Sequence, residues 1–443
     1  LGFAKDVGLS LVFGLNGLYQ RQSESAALNL TNAVQLLEYT AADPGLRSIL
    51  YGVELSNELG GKGPATTQVT GGGHVHAAVL AADFVALHSH LVRLWPSPAN
   101  RPKLFGPDCG VEDNPSGHLS GSWWPVFLRD AGAVLSGITF HTYTYGASDS
   151  PDLFEHMLDP RKLDKIATTA SASLAAAKDA GLDPTRTPVI AGEMGPSSGG
   201  GSNGTTNRFV DSFWYLEALG KQSSLGIHAF ARSTLTGGMY EQLDHERDFY
   251  PNPDFWAGLA WSKSMGTTPL NVTVLNDGGG TVRAHAHCSR GTAGEISLVL
   301  MNIGSADALV SIAGGLKLRT TSHFRSVSGL RSADVEVQVA PSRWQRLATN
   351  GGVPALPPPM DVSAGPATVS VAAQTYAFAT LGTANACLKS ERLKSDDDQP
   401  RETDAPIMAN DVLYAPPSSC GALPASCLPG QCKEQRKTMA ACL

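Results

Sequence analysis

Two glutamates stand where apolar runs end. The stretch YGVELSNELG at 51–60 closes an apolar run, residues 48–55, that reads as a buried strand, and Glu58 follows directly after Asn57. A second short run, TPVIA at 187–191, ends on Glu193 and opens into the glycine-rich MGPSSGGG. A carboxylate after a strand is commonly a solvated loop group, but in a (β/α)8 barrel the C-terminal strand ends form the active face. Two strands that each deliver a Glu to that face provide a general acid and a nucleophile or base, the minimum equipment for cleaving a glycosidic bond.

Around these acids the motifs accumulate. SNEL at Glu58, HTYTYG at 141–146, GEMGPSSGGG at Glu193, LVFGLN at 11–16, LFGPDCG at 104–110 and GGMY at 237–240 together resemble the heparanase-type endo-β-glucuronidases, retaining glycoside hydrolases. They follow that family's order from about Leu11 to Cys387. The acid motif departs from the family's Trp-Glu-Leu-Gly-Asn-Glu-Pro at Val53, Ser56 and Leu59, while Asn57 and Glu58 are retained.

The resemblance implies that Glu193 is the nucleophile and Glu58 the acid/base of a double displacement, a pair that works at a carboxyl separation of ~5–5.5 Å. Asn57 would bond the sugar 2-OH, or simply turn the chain. Tyr143 matches the family tyrosine that contacts the nucleophile, and its hydroxyl would orient Glu193. His141 reads as a strand-end scaffold or a substrate contact, next to Thr142 where heparanase carries a second histidine. Arg232 would pair with a carboxylate of the site or form a structural salt bridge. Gly199, Gly200, Gly238 and Tyr240 occupy the positions from which the family holds a uronate with backbone N–H groups and a phenol, and glycine permits that close approach. The mechanism needs no cofactor and no metal.

Other elements must carry these residues. The 443 residues leave room for a second folded unit beyond one barrel of about 250. Strand and helix signals alternate from residue 9 to 265 and give about six strand-helix units. The α/β part therefore reads as a (β/α)8 TIM barrel lacking its first two strand-helix units, over residues 1–266. Short alternating strands, from NVTVL to YAFATL, then predict a β-sandwich over 267–387. Residues 388–415 read as a disordered acidic linker. Residues 416–443, with Cys420, Cys427, Cys432 and Cys442, form a Cys-rich tail that faintly resembles fungal-type cellulose-binding modules but has no aromatic residue after Tyr414. Cys288 and Cys387 bracket the sandwich, and AHC and ANAC resemble the family's disulfide pair there; two buried thiols are the alternative. Cys109 is left over and reads as a buried thiol.

The composition restricts the partners. A net charge of −7 gives no electrostatic reason to bind nucleic acid or acidic lipid. No run approaches the ~20 apolar residues of a membrane span. The chain opens on Leu1, consistent with a start and signal peptide upstream. Seven cysteines and sequons at Asn29, Asn203 and Asn271 favour an extracellular or secretory-pathway setting, vacuole-like or lysosome-like included. The implied partner is a glycan or proteoglycan containing glucuronic acid; the oligomeric state stays open. Where heparanase carries sulfate-binding arginines after its GPD turn, this chain has VEDNPSGH with Glu112 and Asp113, which favours unsulfated plant-like or microbial glycans. The rival readings are another retaining glycosidase of the same clan, an arabinofuranosidase or xylosidase, and a non-catalytic carbohydrate-binding relative.

Overall fold

The computed structural model describes residues 2–18, 21–55, 57–60, 75–110, 123–349, 352–362, 367–382, 384 and 387–388. Ser56, most of the glycine-rich stretch after Gly60, Glu112 and Asp113, the linker beyond Leu388 and the four tail cysteines lie outside these residues. The chain folds as two compact units. The first holds the described residues of 1–109 and 113–138, the second those of 110–112 and 139–410.

In the first unit, β1 (Leu11–Leu15) lies parallel to β2 (Leu50–Leu55), and β2 parallel to β3 (Lys103–Gly110). β2 is the central strand, and Val53 and Leu55 are fully buried in it. Gly52 lets β3 approach, because a Cβ there would meet the Phe105 ring at 2.5 Å. The helix Ala77–Leu94 buries Leu80, Phe84, Leu87 and Leu91, as their spacing predicts, and Phe84 meets Phe127 of the helix Trp123–Ala131 edge to face at 5.1 Å. By length and composition this helix could cross a bilayer, which the sequence reading did not anticipate. It also carries Asp83, 3% exposed, whose Oδ2 accepts from Arg21 at 2.7 Å. A buried ion pair in mid-helix and one packed face are features of a protein core.

The same pair explains a displaced boundary. Helical spacing predicts a helix over 25–39, but it runs Thr31–Ala42. Arg21 donates to the Ala26 carbonyl and Asp83 accepts the Leu28 N–H, so this stretch spends its backbone groups on the ion pair. Asn29 Oδ1 then accepts from Thr31 N–H as the helix begins.

In the second unit, β4 (Gly137–Tyr143, its last five residues here), β5 (Val189–Gly195) and β6 (Phe230–Arg232) are neighbours in that order, with β5 and β6 parallel. Helices Lys165–Asp179 and Asp211–Leu225 connect them. Strands alternating with helices, and parallel pairing in both units, are the (β/α)-barrel type of construction. From Met265 the chain becomes antiparallel. Seven strands order as Arg343–Arg346, Val335–Ala340, Leu318–Ser326, Thr375–Leu381, Ile296–Asn302, Val282–Ser289 and Met265–Leu270. A two-stranded sheet, Ala308–Ser311 with Thr368–Val371, shares one apolar core with this larger sheet through Val369, Val371, Leu298, Leu300 and Leu381. The expected strand NVTVL does not form: the chain pairs one segment earlier, at Met265–Leu270, and Leu275 is 81% exposed. Cys288 and Cys387 are disulfide-bonded, with their Cα atoms 5.3 Å apart.

Helix Asp211–Leu225 is buried almost all round, since it also touches the antiparallel sheet. A Cβ at Gly220 would overlap His285, so glycine allows the close approach. Beside it, Glu217 accepts from His285 Nε2 and Arg283 Nη1, each at 2.9 Å. Phe209 and Phe213 pack on Tyr376 at 5.6 and 6.4 Å.

Candidate active site

In the first unit β2 ends at Leu55, and Asn57 and Glu58 follow, both half-buried. Glu58 adopts φ 54° and donates its N–H to the Asp108 carbonyl at 2.9 Å, and Asp108 itself has φ 58°. Left-handed backbone at non-glycine residues costs energy and persists where surrounding structure enforces it. Here the enforcement comes from β3, which runs through Asp108 to Gly110. Next to it, Cys109 is buried and unpaired by disulfide; burial pushes its thiol well above the usual range, and the charges of Asp108 and Glu58 add to this. It is an inert core thiol, as the sequence reading expects.

In the second unit Glu193 lies inside β5 rather than beyond its end. Ala191 pairs with Phe230 and Met194 with Arg232, so three steps on β5 answer two on β6. The extra residue forms a bulge at Gly192–Glu193, a device that re-aims side chains beside functional sites. Glu193 Oε1 accepts from the Tyr143 hydroxyl at 2.5 Å, and Oε2 lies 3.8 Å from His141 Nδ1. Burial, then the Glu193 charge, pushes Tyr143 well above its usual pKa, so the phenol stays a donor. Gly195 is required by this contact, because a Cβ there would stand 2.5 Å from the Tyr143 ring.

The loops beyond these strands are stitched together. Tyr145 N–H donates to Pro196 O at 2.9 Å and Ser148 N–H to Ser198 O at 3.1 Å. Gly199, Gly200 and Gly201 all have positive φ, as do Gly237 and Gly238. Met239 N–H donates to Gly200 O at 2.5 Å, and the buried Thr206 hydroxyl donates to Met239 O. The Tyr240 ring is 6.2 Å from that of Tyr143. The second unit thus brings His141, Tyr143, Glu193, Gly199, Gly200, Gly238 and Tyr240 into one neighbourhood, while Asn57 and Glu58 belong to the first.

Of the two roles open to Arg232, the geometry supplies the structural salt bridge, and a substrate contact is not what this buried side chain makes. Its side chain is 3% exposed and bonds Asp254 at 2.7 Å and Asp211 at 3.1 Å, under the rings of Trp214, Tyr215 and Tyr240. Burial and the Asp254 charge push the Asp211 carboxyl well above its usual range. Arg232 also donates to Ser233 O. Sequence reasoning missed Gly195, Thr206 and the acid Glu241, which takes the Gly237 N–H. The one available signal for Glu241 was an acid directly after GGMY.

A glutamate just past β2 and another within β5, on this β/α construction, are the kind of groups that a glycoside hydrolase uses. Residues 2–220 match the N-terminal domain of glycosyl hydrolase family 79. The chain is 30% identical over 332 residues to heparanase-like protein 3 of Arabidopsis thaliana, covering 73% of this chain and 57% of that one. It is 27% identical over 327 residues to baicalin-β-D-glucuronidase of Scutellaria baicalensis, covering 70% and 58%. A solved family 51 α-L-arabinofuranosidase from Bifidobacterium longum shares the fold at TM-score 0.54 and 11% identity, over 86% of this chain and 78% of that one. Residues 2–220 therefore carry the N-terminal domain of glycosyl hydrolase family 79, and the chain is similar to heparanase-like proteins. It spans less than 60% of the length of these two relatives.

Proposed function

We propose that this chain carries the catalytic residues of a retaining β-glucuronidase acting on glycans that contain glucuronic acid. Glu193 attacks the anomeric carbon, Glu58 protonates the leaving oxygen and then activates water, and Asn57 bonds the 2-OH. Backbone N–H groups at Gly199, Gly200 and Gly238, with Tyr240, hold the uronate. The observation that carries this reading is the Tyr143–Glu193 hydrogen bond beside His141, which holds one carboxylate of β5 in a set orientation, as a nucleophile requires. The family match and the relative named a glucuronidase support it over a xylosidase or an arabinofuranosidase, although the chain also shares the fold of the latter. We read 1–266 as a (β/α)8 barrel lacking its first two strand-helix units and 267–387 as a β-sandwich, the latter supported by the core common to the two antiparallel sheets. The setting is extracellular or within the secretory pathway, in keeping with the single disulfide among the described cysteines.

The test is to incubate the chain with an aryl 2-deoxy-2-fluoro-β-glucuronide and map the adduct by mass spectrometry. Labelling of Glu193 is expected; labelling of another residue, or turnover without any covalent intermediate, would remove the double displacement. Unsulfated β-glucuronides should be cleaved, and added heparin should inhibit weakly and less as salt rises. Tight heparin binding with selective cutting of heparan sulfate would overturn the substrate class.

A further inference from the structure

We propose that Glu241 is a positioning residue: with His245 it fixes the 237–240 segment in the conformation that presents backbone donors and Tyr240 to a substrate carboxylate. The inference rests on the reading that Gly238 and Tyr240 hold the uronate.

Glu241 is 4% exposed, a costly place for a carboxylate unless its oxygens are satisfied. They are satisfied locally. Oε2 accepts the Gly237 N–H and faces the Thr236 hydroxyl at 3.4 Å, and Oε1 accepts the His245 N–H at 3.1 Å and meets His245 Nδ1 at 2.7 Å. The Glu241 carbonyl accepts from Asn252 Nδ2 at 2.9 Å, anchoring its backbone as well. This carboxylate is therefore spent on the loop that precedes it.

That loop needs the help. Gly237 and Gly238 have φ +94° and +83°, and two consecutive left-handed glycines are free to leave that conformation in the absence of a restraint. Met239 is held from the far side by Gly200 and Thr206. Gly237 is held from the near side by Glu241. A donor set restrained at both ends loses less entropy when a ligand binds, which appears as affinity rather than as chemistry. His245 makes the restraint sensitive to pH. Its ring is 44% exposed, and the charged groups acting on it are Glu241, Asp244 and Glu246, all acidic; the bond to Glu241, foremost, raises its pKa. As pH climbs past that value the cation is lost, Glu241 is left uncompensated beside the loop, and a bound uronate is repelled.

The experiment uses the full chain, with steady-state kinetics on p-nitrophenyl β-D-glucuronide and hydrogen exchange of the 236–245 peptide. Glu241→Ala is expected to raise KM about tenfold while kcat stays within about twofold, and to speed exchange in that peptide. Glu241→Gln keeps an acceptor for the Gly237 N–H and should recover most of both. His245→Gln should flatten the rise of KM with pH. Unchanged KM and unchanged exchange in Glu241→Ala would overturn the proposal, as would a Gln variant as impaired as the Ala variant. A parent chain without glucuronidase activity would sink the functional reading instead. Exchange alone then decides the positioning role: faster exchange in Glu241→Ala upholds it, unchanged exchange overturns it.

Discussion

The Tyr143 hydroxyl donates to Glu193 Oε1 at 2.5 Å while His141 Nδ1 faces Oε2 at 3.8 Å, so the two oxygens of one carboxylate look at two different residues of the same strand. β4 reads out alternate residues to one side, and the spacing of two between His141 and Tyr143 puts both there. In the proposed double displacement, this arrangement would keep one Glu193 oxygen oriented for attack.

Removing the hydroxyl tests that statement. Tyr143→Phe should lower kcat/KM on an aryl β-glucuronide by about 10- to 100-fold, the range for a hydrogen bond to a charged group. Glu193→Gln should abolish turnover. Wild-type rates in either variant would separate β5 from the chemistry.

Glu58 serves as the acid in this scheme, and an acid matters in proportion to the basicity of the leaving group. Glu58→Ala should therefore slow substrates with poor leaving groups by about 100-fold or more, and activated aryl substrates much less in the glycosylation step. Equal losses on both would contradict the role. Rates from pre-steady-state mixing keep glycosylation apart from the later hydrolysis.

Glu217 predicts how stability depends on pH. Burial alone would raise its pKa, but His285 and Arg283 hold it down to about 2 from an ordinary 4.5. A carboxyl depressed on folding contributes stability that is present above about 4.5 and is lost as pH falls toward about 2. Denaturant midpoints measured over that window should fall steeply, and Glu217→Gln should flatten the slope. Glu217→Ala should cost about 2 kcal/mol near neutral pH, because it removes the charged hydrogen bonds to His285 and Arg283, although Arg283 keeps Asp164 at 3.0 Å. A midpoint that did not move would show the cluster to be inert.

The disulfide joins residues 99 apart in sequence, across most of the antiparallel region. Closing a loop of ~100 residues constrains the unfolded chain by about 4.7 kcal/mol in the chain-entropy model. Cys288→Ser should lower the denaturation midpoint accordingly, and non-reducing peptide mapping should recover Cys288 linked to Cys387. A free Cys288 would contradict both.

Local pattern in the sequence marked the strands, the apolar face of the helix Ala77–Leu94 and the two acids near strand ends, because alternation and helical spacing are properties of neighbouring residues. Glycine runs at 199–201 and 237–238 were likewise visible as positions needing unusual backbone. The sequence alone determined which residue types were available, and the order of its motifs carried the family resemblance. Tertiary structure decided the pairings. The Ala191–Met194 bulge, Arg232 turned to Asp211 and Asp254, Glu241 folded back on Gly237, and Glu217 set against His285 each depend on which segments become neighbours. A carboxylate in the sequence has no address of its own. Whether it is an acid for chemistry, a clamp or half of a buried ion pair follows from the donors that the fold brings within about 3 Å, and no local periodicity encodes those.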